Sequence, residues 1–186
     1  MTQLEDGGPE ADPLGDKGRL AILAFVVVWG LRLAAIDYRG GESMGSFMHN
    51  ILLPIHEAGH VFCSPFGEFL TILGGSLFQV ALPLAIALAF LVKQRDPFGA
   101  AICLWWTGAS MVDLAPYIWD ALDPQLMMLG GHTGEDGPHD WIYLLGRLGA
   151  LQSAHAWGKA AHHLGTAIMA GAVIWAGRCL WRRRPA

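Results

Sequence analysis

Residues 70–92 read LTILGGSLFQVALPLAIALAFLV, a stretch with no charged side chain. It is long enough to cross a hydrocarbon core of about 30 Å. Lipid is therefore the solvent against which the rest of the chain has to be read. Working outward from it, Leu20–Ile36, Ser46–Cys63, Phe98–Leu122 and Ala160–Trp181 are also apolar. Between them lie the short polar breaks DYRGGES, SPFGE and KQRDP, and the longer GGHTGEDGPHD. The pattern predicts an all-α, polytopic transmembrane bundle of about five spans. Residues 1–19 are expected to form an acidic, disordered tail, and residues 20–186 a single membrane domain. The opening is acidic rather than basic, so the first apolar run is read as an anchor and not as a secretory signal. Trp105, Trp106, Trp119, Trp141, Trp175 and Trp181 fall near predicted span ends, as interfacial aromatics do.

Composition agrees. Of 186 residues, 53% are apolar and 15% charged, against roughly 25% charged in soluble domains. The net charge of −4 offers no basic field for a nucleic acid. Cys63, Cys103 and Cys179 are odd in number and lie in apolar runs, so no disulfide framework or CxxC knuckle is readable. The positive-inside rule puts the terminal WRRRPA, Arg39 and the Lys93/Arg95 break in the cytoplasm, with the acidic N-terminus outside. The expectation is an integral protein of the plasma (inner) membrane, with the lipid bilayer as its standing partner.

Inside the second apolar run stands His56-Glu57-Ala58-Gly59-His60, a complete HExxH. On a helix, positions i and i+4 share a face, so both imidazoles can hold one metal ion. The neighbouring Glu57 can then act as general base on a water that the ion polarises. A chain of this composition would produce the pattern by chance about 0.01 times. Polar groups at a helix centre in lipid cost about 2.5–3.5 kcal/mol each on insertion scales, and a divalent cation compensates for that cost. Two histidines plus a carboxylate with one open position suit a single Zn2+; iron and manganese share the ligand types. Pro54 removes a helical hydrogen bond just before the motif and predicts a kink there.

A third ligand has to come from elsewhere in the chain. In SMVDLAPYIWDAL, Asp113 and Asp120 stand a heptad apart, on nearly one face of a helix. One can ligate while the other orients a histidine. His139 and Asp140, opening HDWIYLL, form a second candidate pair. There His139 would be the ligand, and the plainer alternative is an Asp cap on an amphipathic helix.

HEAGH, a short polar break, GEFLTILGGSLFQVALPL and a later helix with an acid after a proline together resemble the core of the site-2-protease family of intramembrane zinc metalloproteases, over roughly residues 51–122. The resemblance implies peptide-bond hydrolysis in membrane-associated polypeptides, with His56, His60 and an acid on zinc and Glu57 as catalytic base. It implies a membrane-associated hairpin after the second helix, with Glu68–Leu73 as its strand, and Gln79 as a polar residue near the substrate. It favours Asp120 as the third ligand, since that residue follows Pro116 at near-family spacing. Two other classes compete. A di-iron membrane oxygenase or desaturase would use the histidine excess, including His155 and His162-His163. A non-catalytic metal-binding membrane protein would close the site with a fourth protein ligand.

Overall fold

The computed structural model describes residues 15–182 and, among them, is all-helical. The tail expected to be disordered lies outside the described residues up to residue 14, whereas residues 15–19 open the first helix. Six α-helices follow one another: α1 Gly15–Ala35, α2 Phe47–Cys63, α3 Glu68–Ala89, α4 Pro97–Asp120, α5 Asp140–Arg147 and α6 Ala154–Trp181. The last residues of the α3 rod, Phe90–Gln94, form a wider helical turn that ends at Arg95, whose φ of 51° turns the chain back.

Four stretches are long and apolar enough to cross a membrane: Gly15–Ala35, Glu68–Gln94, Pro97–Asp120 and Leu151–Trp181. The protein is an integral membrane helical bundle. The expected fifth span is corrected by α2. That helix has 17 residues, about 25 Å at 1.5 Å per residue, and it carries Pro54 together with the polar motif. The expected hairpin is corrected as well. Ser64–Phe66 make a single 3-10 turn, and Glu68–Leu73 are the first turns of α3. The alternation in Glu68-Phe-Leu-Thr-Ile-Leu73 is short, and helical hydrogen bonding starts at once, with the Thr71 amide donating to the Gly67 carbonyl.

α4 is the axis of the bundle, with Ala100, Ala101, Ala109, Ser110 and Ala115 wholly buried. Against it α6 runs antiparallel. Gly158 faces Ala115, Gly165 faces Gly108, and Ala176 packs with Phe98 and Ala101. A β-carbon on Gly108 would come within 2.6 Å of the Gly165 carbonyl oxygen, so glycine is what permits this separation. Close backbone approach through small residues is how helices gain contact in lipid, where apolar burial drives little. α1 lies against the same axis, Val26 and Leu33 packing with Trp105, Ala109 and Val112.

At one end of the bundle Arg19 donates to Asp96 at 3.0 Å, and Asp96 caps α4 by accepting from the Phe98 amide. α1 and α4 therefore start on the same face, and the end of α6 reaches that face beside Ile22 and Leu23. Both ends of the described chain lie together. The expectation of termini on opposite faces rests on five crossings, whereas four candidate spans are found among the described residues.

Candidate metal centre

At the opposite end, α2, the start of α3, the end of α4 and α5 converge. Gly59, inside the motif, lets α2 settle on α3: a β-carbon there would collide with the Gly74 carbonyl oxygen. His56, one turn before Gly59, and His60, next to it, turn their rings toward α3, with centroids 4.8 Å apart.

The tautomers follow from the hydrogen bonds. Ionised Asp113 can only accept, so the Gln79 amide nitrogen faces it, at 2.9 Å. Gln79 Oε1 must then point the other way, to His56 Nδ1 at 2.9 Å. The proton of His56 is thereby placed on Nδ1. His60 Nδ1 donates to the Thr71 carbonyl at 2.8 Å. In the neutral rings both Nε2 atoms are left as lone-pair donors.

Those two lone pairs meet a third ligand-type atom. Asp140 Oδ2 lies 3.0 Å from His56 Nε2 and 3.2 Å from His60 Nε2. Three acceptors converge with no proton shared between them unless the imidazoles charge, and such a trio is stabilised by a cation at its centre. The spacing suits ligands each about 2.0–2.2 Å from one ion. Gly75 forms the floor: a β-carbon on it would sit 2.5 Å from both Nε2 atoms. Glu57 stands beside the trio, and one of its carboxylate oxygens and one nitrogen of each ring fall within 4.8 Å of one another. Burial works against ionisation of Asp140, but hydrogen bonds from the His56 and His60 rings, when these are charged, outweigh it and bring its carboxyl down to about 2, and a cation between the three groups would act in the same sense. The first turn of α5 adds the positive end of a helix to the same carboxylate.

Asp120, expected as the third ligand, is directed elsewhere. Its Oδ1 accepts from the Gln125 and Leu126 amides at 2.7 and 3.0 Å, and its Oδ2 faces His139 Nε2 at 3.3 Å. Nor does His139 face the pair. Its Nδ1 accepts from the Ile142 amide, which makes it the cap of α5. Asp113 serves Gln79 and also His49 Nδ1, at 3.1 Å. Asp120 thus orients His139, His139 caps α5, and α5 presents Asp140.

A cavity of about 490 Å3 opens over the trio. Glu57, Tyr117 and Asp140 line it together with Met127, Met128 and Leu129 of the α4–α5 connection. The remaining histidines considered for a di-iron centre are dispersed. His155 stacks on Trp119, and His162 and His163 flank Tyr38.

Sequence reasoning overlooked Tyr117, which lines the cavity, and the approach of the Asp140 carboxylate to His56 and His60. The one signal for Asp140 was its place at the head of an amphipathic segment after a loop without Lys or Arg. Comparison with known protein families, with curated proteins and with solved structures returns no match.

Proposed function

We propose that this protein is a membrane-embedded, zinc-dependent peptidase, acting on membrane-associated polypeptides in the manner the site-2-protease resemblance implies. The observation that supports this reading most is the meeting of His56 Nε2, His60 Nε2 and Asp140 Oδ2 beneath an open cavity, with Glu57 at its edge. His56, His60 and Asp140 would hold the ion, with Asp140 taking the role first given to Asp120. Bound there, zinc would polarise a carbonyl and lower the pKa of water toward 7. Glu57, exposed on the cavity side, takes the proton from the attacking water and later delivers it to the leaving amine. Three protein ligands with a cavity above them favour an open coordination position over a closed structural site.

The charge pattern supports an orientation. Lys17, Arg19, Lys93, Arg95, Arg178 and Arg182 belong to the face where α1 and α4 begin, and Arg32, Arg39, Arg147 and Lys159 to the other. By the positive-inside rule the first face is cytoplasmic, and the centre then opens on the opposite side of the plasma membrane.

The test is direct. The full chain, reconstituted with zinc and a mixture of membrane polypeptides, is expected to generate new N-termini detectable by mass spectrometry. Glu57→Gln should retain zinc and generate none. New termini that persist in Glu57→Gln, or that never appear with the zinc-loaded wild type, would overturn the reading.

A further inference from the structure

Between Asp113 and Asp120 on the inner face of α4 stands Tyr117, a residue with no part in metal ligation. Its ring lies 6.1 Å from that of His56 and 4.4 Å from that of His139, and it lines the cavity over the metal ligands. Its phenolic oxygen accepts from the Asp140 amide at 2.9 Å. That amide heads α5, and the bond fixes the hydroxyl beside the third ligand. A phenol has one proton to give. With the Asp140 amide on the oxygen's acceptor side, that proton is available to an acceptor in the cavity that Tyr117 lines.

We infer that Tyr117 is a further catalytic residue, the hydrogen-bond donor to the oxyanion formed when water adds to the substrate carbonyl. The role rests on the peptidase reading above. In the step it serves, the water oxygen bonds to the carbonyl carbon and its proton passes to Glu57. The π pair of the carbonyl moves onto the carbonyl oxygen, where the Tyr117 hydroxyl meets it. Collapse returns that pair and breaks the C–N bond, and the proton held by Glu57 goes to the amine nitrogen. A donor fixed before the charge develops acts without reorganisation.

The test uses the full-length, zinc-loaded chain in detergent and two probes with the same apolar side chains. A phosphinic peptide carries tetrahedral oxygens in place of the oxyanion, whereas a thiol-capped peptide holds the metal without them. Tyr117→Phe is expected to keep its zinc and its thiol affinity while losing about 100-fold in phosphinate affinity. Unchanged affinity for both probes overturns the role of Tyr117 and leaves the peptidase reading standing. Loss of both together with zinc also overturns it, because Tyr117 would then only support Asp140. Failure of the wild type to bind either probe removes the peptidase reading and this role with it.

Discussion

Gln79 shows how one uncharged side chain sets the chemistry of its neighbour. Held by Asp113 on one side, it can present only its carbonyl oxygen to His56, which commits that ring to offering Nε2. Gln79→Leu removes this constraint and is expected to weaken zinc binding about 10–100-fold, read by competition with a zinc-sensitive dye. Asp140→Asn is expected to lose the metal, whereas Asp120→Asn should keep it, since Asp120 reaches the centre only through His139. Elemental analysis of the purified variants separates the two. At this scale HEAGH was legible because its spacing is local: i and i+4 share a face of any helix. The third ligand was not. Asp120 and Asp140 are separated by a long connection whose path no spacing rule determines, and Asp120 follows a proline in the expected helix while its carboxylate turns back to cap its own loop.

Among the elements, α3 and α6 carry the glycines that set helix separations. Gly75→Ala would place a methyl group 2.5 Å from both ligating nitrogens. It should abolish zinc binding while the helical circular dichroism is unchanged. Gly165→Leu would force α6 away from the α4 backbone at Gly108. It is expected to cost about 1–3 kcal/mol, seen as a lower midpoint of thermal unfolding in detergent. Four spans were readable from hydropathy alone, because length and apolarity are what a bilayer demands. α2 was misread as a fifth, since apolar residues surround the motif closely enough to resemble a crossing. The strand expected over Glu68–Leu73 came from the family resemblance and from a short alternation, which continuous helical hydrogen bonding overrides.

For the molecule as a whole, four candidate spans among the described residues bring residues 15 and 182 to one face, where Arg19 of α1 also pairs with Asp96 at the start of α4. Reporters fused to either terminus should therefore both register the cytoplasm. A cysteine introduced by Thr133→Cys should be labelled from outside intact cells by a membrane-impermeant maleimide. A split result at the two termini would restore the odd count of crossings. The open cavity over the trio, about 490 Å3, has the volume of a sphere about 10 Å wide, close to the width of a single α-helix with its side chains, about 10–12 Å. On the peptidase reading, an extended substrate segment would fit there more readily than a coiled one. Susceptibility would then depend on how readily a polypeptide gives up its own helical turns, and glycine or proline near the target bond would favour attack more than any particular side chain.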